Sequence, residues 1–336
     1  MAFQSLRSGR GRGCPYPSFL SFVLAAGGLL LAGCAPPAAS VRGETPTLAA
    51  TSDGDTLAPG VLHRAIPTAD GGGVDIIDVD LDKADARLSV QTRGITRSEG
   101  AVVGQAYTPR DWLTKTNALA AVNGGYFGGE DAQGRKEFVG LLVQKGRVRH
   151  AAPPLHGSGS ATIRRGQYVR SAFGLMASGT PRIVWAATEP GQTQSVRTYG
   201  GPMGRAGSLW HVLEAVGCGP TLIAGGKVVV TQYQERLVSP GPVPRTFVAY
   251  DSVGGRPRHL VFGIASGATF QDLAAFLAAY FPRYDSTRAQ AAMCVDGGAS
   301  TQLSYRLNGV VQSPRETGVT VPDALVLLPW RSGSMR

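Results

Sequence analysis

The chain has 336 residues, of which only 17% are charged and 46 are glycine, a composition that excludes a disordered polyelectrolyte. Its formal net charge of +10 leaves two readings open, anionic partners such as phosphate-bearing glycans or envelope lipids, or a soluble surface with excess arginine. No basic run or aromatic-basic motif accompanies that charge, which argues against nucleic acid.

Arg7, Arg10 and Arg12 form a positive start with no acidic residue, and Phe19–Leu31 is an apolar stretch too short for a comfortable membrane span. It ends in Leu31-Ala32-Gly33-Cys34, which resembles the lipobox of bacterial lipoproteins. Residues 1–33 are therefore expected to be an export signal, and Cys34 the lipid-bearing first residue of the mature chain. Loss of the three arginines leaves about +7. Ala35 follows the cysteine instead of Asp, which by the sorting rule of diderm bacteria favours the outer membrane, facing periplasm or cell surface. Residues 34–60 are rich in Ala, Pro, Thr and Ser and are expected to be a flexible tether. A single domain is expected over 61–331, with α+β architecture, a mixed but mainly antiparallel sheet and a few packed helices.

In chain order, Val74–Leu81 and Ala86–Gln91 alternate around an Asp-Lys-Ala-Asp turn and read as a hairpin. Thr108 and Pro109 supply an N-cap and first position for a helix carrying Trp112, Leu113 and Thr116. Gly140–Val148 reads as a hairpin turning at Lys145-Gly146; Ser171–Ala177 and Arg182–Ala186 read as strands. Ser208 is a candidate cap for a short helix through Leu209, Val212, Leu213 and Val216. Thr221–Ala224 and Lys227–Thr231 bracket a Gly225-Gly226 turn; Ser239–Pro244 reads as a loop, and Arg245–Asp251 and His259–Ala265 as a strand pair. The clearest helix starts at Thr269, with Asp272 three residues on and Phe270, Leu273, Phe276, Leu277 and Tyr280 on one stripe.

Three segments share one design, an apolar strand ending in glycines beside a polar residue. Ala118–Val122 runs into Asn123-Gly124-Gly125-Tyr126-Phe127, Met293–Val295 into Asp296-Gly297-Gly298-Ala299-Ser300-Thr301, and Val216–Cys218 into Gly219-Pro220-Thr221-Leu222. Glycine pairs let backbone N–H groups approach anionic oxygens without a Cβ in the way. A polar group at a strand end sits on rigid support, where function concentrates. Asn and Asp are also ordinary turn residues, so one such tip would mean little; three in one chain carry the inference.

Asn123-Gly124-Gly125-Tyr126-Phe127 resembles the NGGYF signature of the phosphodiester glycosidase family. Further pieces follow in that family's order. Gly219–Ile223 with Gly226-Lys227-Val228 resembles its glycine-proline strand and hairpin, Arg245-Thr246 its Arg-Thr motif, and Asp296–Thr301 its DGGGS motif with Ala299 in place of a glycine. Pro322–Leu325 resembles its closing strand, so the similarity spans about residues 74–330. The resemblance implies hydrolysis of a sugar–O–phosphate link at the anomeric carbon, in a glycan or glycolipid.

On these residues, Arg245 is expected to hold the phosphate, since a guanidinium engages its oxygens bidentately. Thr246, Gly124, Gly125, Gly297, Gly298, Ser300 and Thr301 are candidates for the remaining oxygens. Asp296 is the first catalytic candidate, because glycosyl transfer to water needs carboxylate chemistry. A phosphate leaving group has a low pKa and needs little protonation. Glu137 is the candidate second carboxylate and Glu316 its rival; Asn123 would bind a sugar hydroxyl or orient a carboxylate, and Tyr126 would wall the sugar ring.

Cys218 and Cys294 remain as an even pair in an oxidising compartment, where a disulfide and two buried thiols stand open as alternatives. Asp78, Asp80 and Asp82 alternate as on an exposed strand face more than as a calcium site, and the five histidines show no ligand spacing. No metal site and no cofactor is expected, with a divalent ion left open. The alternative to an enzyme is a non-catalytic envelope lipoprotein that binds anionic polysaccharide or assists exopolysaccharide assembly.

Overall fold

The computed structural model describes residues 54–68, 72–156, 167–189, 192–204, 206–237, 239, 241–283 and 288–330. The expected export signal, Cys34 and most of the expected tether lie outside the described residues. A first strand, Asp55–Ala58, already pairs with Val61–Pro67, inside the stretch expected to be tether.

The described chain is a β-structure, which corrects the expected α+β domain with a mixed sheet. Every strand pairing is antiparallel, and only two α-helices occur among the described residues, Pro109–Thr116 and Phe270–Tyr280. With so few helices there are no crossovers of the kind that parallel strands require. The strands fall into sheets of eight, seven, five, four and two.

Two local expectations fail for physical reasons. The stretch around Leu209–Val216 has helical spacing but forms the ends of two strands, Ala206–Leu209 and Glu214–Cys218. The second is buried at every position, so its continuous apolar run carries no period to separate helix from strand. Gly73–Asp80 and Ala86–Thr92 are strands, but the turn between them does not pair them. The first lies in the eight-stranded sheet beside Val61–Pro67 and His259–Ala268, and the second pairs with Asp323–Pro329 in the five-stranded sheet.

Other local signals hold. Thr108 caps the first helix by accepting from Asp111 N–H, and Thr269 with Asp272 forms a reciprocal capping box on the second. Lys145-Gly146 and Gly225-Gly226 take positive φ in tight hairpins. The exposed strand face expected for Asp78, Asp80 and Asp82 is not found: Gly73–Asp80 lies between two strands of its sheet and Asp78 is buried, accepting from the Tyr280 hydroxyl, while Asp80 pairs with Lys83 and Asp82, past the strand, with Arg256.

The core lies between sheets. Ile77, Val248, Phe262 and Met293 of the eight-stranded sheet meet Val90, Val122 and Leu325 of the five-stranded sheet and Phe173 and Val216 of the seven-stranded sheet. The opposite face of the eight-stranded sheet is covered by the second helix through Phe270, Leu273, Phe276, Leu277 and Tyr280. The first helix packs Trp112 and Leu113 on the five-stranded sheet at Ala121, Ala324 and Val326. This stacking brings Ala120–Asn123, Ala289–Cys294 and the start of Val243–Asp251 to one junction.

Candidate active site

The junction is knitted by side chains as well as backbone. Asn123 ends its strand fully buried. Its Nδ2 donates to Asp296 O at 2.7 Å, while its Oδ1 accepts from Thr246 Oγ1 at 2.7 Å and from Gln302 N at 3.2 Å. One amide thus joins the tip of the five-stranded sheet to two segments of the eight-stranded one. Asp296 N donates to Gly124 O at 3.0 Å and Val295 N to Thr246 O at 3.0 Å, closing the same seam. Asn123 and Thr246 therefore spend their polar atoms inside the protein, as a brace behind the site.

The glycine amides after Asn123 also have internal work. Gly125 N donates to Asp323 Oδ1 at 2.6 Å and Gly124 N to Asp323 O at 3.1 Å. A methyl group on Gly124 would land on the Asp323 carboxyl, so only glycine allows this approach. The nest expected to meet a substrate oxyanion holds a carboxyl of the chain itself. Burial pushes Asp323 up to about 7, with the charge of Asp296 adding to the rise and the Gly125 amide opposing it.

Asp296 faces the other way. It is only partly buried, and its Oδ1 accepts from Gly297 N at 2.9 Å. Burial raises its pKa above the ordinary carboxylate value, against the lowering effect of hydrogen bonds from Ser300 and Gly297. The Gly298–Ser300 turn folds back from Gly297 and brings the Ser300 hydroxyl to this carboxylate.

Arg245 is buried, and its bonds are to neutral groups. Nε donates to Ala268 O at 3.0 Å, and Nη2 to Ser239 Oγ at 2.5 Å and Gly241 O at 3.3 Å. The guanidinium lies 3.9 Å from the centroid of the Phe270 ring. No carboxylate pairs with it among the described residues, and burial lowers its pKa. Nη1 comes up to Gly297, since a methyl group there would sit 3.9 Å away. The cation and Asp296 thus flank one glycine loop.

The third tip completes the wall. Tyr126 donates its hydroxyl to Gly219 O at 2.8 Å, and Arg170 lies 5.4 Å from its ring centroid. Burial, then the neighbouring Cys218 and Asp296, hold the phenol well above its usual pKa. Cys218 and Cys294 are free, buried thiols; burial raises both, Cys294 to about 12, which leaves them unreactive. Thr301 is fully buried, and its hydroxyl has no partner among the described residues.

Two expected acids stand elsewhere. Glu137 lies on the four-stranded sheet opposite Val103 and beside Gly128, with no hydrogen bond or ion pair to the Asn123–Asp296 cluster among the described residues. Glu316 is on the surface, 3.2 Å from Arg110. Two buried acids have the connections instead. Asp323 is one, and its signal was an acid set into an otherwise apolar strand. Glu235 is the other, and it accepts from Ser171 N and Oγ, Trp185 Nε1, Thr221 N and Thr231 Oγ1 at 2.5–3.1 Å. These bonds lock the start of Thr221–Ala224 beside the Tyr126 anchor; the polar run around Glu235 carries no sequence pattern that marks it.

Residues 116–328 match the model of the phosphodiester glycosidase family, well over half of the chain and including Asn123, Arg245, Asp296 and Asp323. The chain belongs to the phosphodiester glycosidase family. No curated protein matches it. Two solved structures resemble this family member distantly. A hypothetical protein from Synechocystis is 14% identical with a TM-score of 0.46, the match covering 80% of this chain and 62% of that one. A protein described as exported, from Burkholderia pseudomallei K96243, is 17% identical with a TM-score of 0.42 over 80% of this chain and 75% of its own. The phosphodiester glycosidase chain therefore spans less than two thirds of the length of the Synechocystis protein.

Proposed function

We propose that the protein hydrolyses the glycosidic bond of a sugar 1-phosphodiester, releasing free sugar and a phosphomonoester. The observation that carries this reading is Arg245. A buried guanidinium without a counter-charge is costly, and a bound anion beside it would balance that cost. Family membership supplies the reaction class.

In this reading the phosphodiester lies against Arg245, with its anomeric carbon toward Asp296. The ionised Asp296 carboxylate serves the sugar face, where it stabilises the developing positive charge and receives the proton of the attacking water. The C1–O bond breaks toward the phosphate, which leaves as an anion held by the guanidinium and needs no strong general acid. Ser300 and Gly297 hold Asp296 in place. Asp323, sealed behind Gly124–Gly125, is a positioning residue that touches no substrate. The work is proposed to occur outside the cytoplasm, on a glycan or glycolipid, with the domain tethered by lipid on Cys34.

A panel of sugar 1-phosphodiesters, scored for released reducing sugar, tests the reading. Release from one member, lost in Arg245→Ala, is expected. Among the described residues Asp296 is the one solvent-facing carboxylate at the junction, which favours a second reading, the binding of anionic polysaccharide without turnover. Retention of an anionic glycan with no sugar released from any member of the panel would establish that reading.

A further inference from the structure

The strands that carry the site at one end form a second polar feature at the other. Ala289–Cys294 leads to Asp296 but begins beside Gln290; Val243–Asp251 starts near Arg245 and ends past Tyr250; Thr221–Ala224 ends in the Gly225-Gly226 turn. At the rise of a strand, Gln290 and Asp296 are about 20 Å apart. Between these far ends and the start of Pro181–Glu189 lies a cavity of about 480 Å³.

Its lining brings two guanidiniums, Arg182 and Arg288, together with the neutral polar side chains of Thr180, Tyr250, Ser252 and Gln290. Arg182 and Arg288 are exposed, and neither has a carboxylate partner among the described residues. Tyr250 is buried and its hydroxyl oxygen accepts from the backbone of Ile183, leaving its own O–H without an acceptor among the described residues. Among the described residues the Gln290 side-chain amide has no hydrogen-bond partner and no carboxylate lines the cavity. The Gly225-Gly226 turn adds no side chain that would fill the space.

We propose that this cavity is a second, non-catalytic binding site for a phosphate carried on a sugar. Two guanidiniums suit the phosphate oxygens, and the phenol and amide suit hydroxyl groups. Binding there does not depend on the hydrolytic reading; its use in gripping a second unit of the same glycan does.

Calorimetry with glucose 1-phosphate tests the assignment, in an Asp296→Asn background that prevents turnover. Two binding events are expected. Arg182→Ala with Arg288→Ala should remove one, weakening it by about tenfold or more per arginine, while Arg245→Ala removes the other. Both cavity arginines are exposed, so an unchanged melting temperature should accompany the loss. Two intact events in the double variant would overturn the cavity site. Loss in the double variant with no change in Arg245→Ala would keep the cavity and remove the phosphate clamp from the proposed function. Inorganic phosphate binding the cavity as tightly as glucose 1-phosphate would reduce it to an adventitious ion only.

Discussion

Two glycine pairs that look alike in the sequence do opposite work. After Asn123, the amides turn inward and hold a buried carboxyl of the chain, Asp323, so the tip is a joint. After Asp296, the backbone folds back on its own carboxylate, beside a cation with no carboxylate partner among the described residues, and that tip keeps an opening to solvent. A glycine pair thus specifies close approach but not what approaches. The partner is set by the facing strand, and here an aspartate faces one pair and an arginine the other.

The division is tested most strongly by Asp296→Asn. If the outward tip does the chemistry, sugar release should fall by about 10³-fold or more with little change in melting temperature. Equal losses of stability and activity would make Asp296 a second joint and erase the contrast.

The inward tip predicts a pH dependence. Asp323 has its pKa raised from 3.8 to about 7, so the folded protein keeps a proton that the unfolded chain releases. The associated stability is complete below the unfolded value and is lost as pH climbs toward 7, by roughly 4 kcal/mol. Asp323→Asn keeps an acceptor for Gly125 N–H and cannot ionise, so denaturant unfolding between pH 4 and 8 should show a flattened slope. An unchanged slope would place the titration elsewhere. Activity that requires ionised Asp296 should rise with pH on a limb displaced above the ordinary carboxylate range, because burial raises that group too.

How much of this was legible follows from the same contrast. The helix caps at Thr108 and Thr269, the hairpins at Lys145-Gly146 and Gly225-Gly226, and the polar tips Asn123, Arg245 and Asp296 are local signals that survive folding. What failed was nonlocal. Sheet membership of Gly73–Asp80 and Ala86–Thr92 depends on partners far along the chain, and Glu214–Cys218 has no period because it is covered on all sides. Asp323 read as strand because its role exists only where Gly124 and Gly125 meet it. Glu137 drew attention by nearness in sequence to Asn123, yet it lies on a different sheet.

Backbone substitutions sharpen the comparison at smaller cost. Gly124→Ala drives a methyl group into the Asp323 carboxyl and to 3.0 Å from its carbonyl oxygen, and should destabilise by about 3 kcal/mol, the upper range for overpacking. Gly298→Ala meets nothing within 4 Å and costs only the left-handed backbone at φ +64, about 1 kcal/mol. Chemical denaturation of the two variants should differ accordingly; similar losses would mean that both tips are equally packed.

The smallest effect concerns Thr301, just past the outward tip. Its hydroxyl is fully buried and has no partner among the described residues, so the fold carries the cost of an unmet polar group. Thr301→Val keeps the shape and removes that group, and should raise stability by about 1 kcal/mol. Because no surface of Thr301 reaches solvent, sugar release should stay within about twofold, in contrast to the loss in Asp296→Asn. A large drop in turnover from this buried methyl exchange would show that ligand entry opens the turn, and the outward tip would then be a moving part instead of a fixed support.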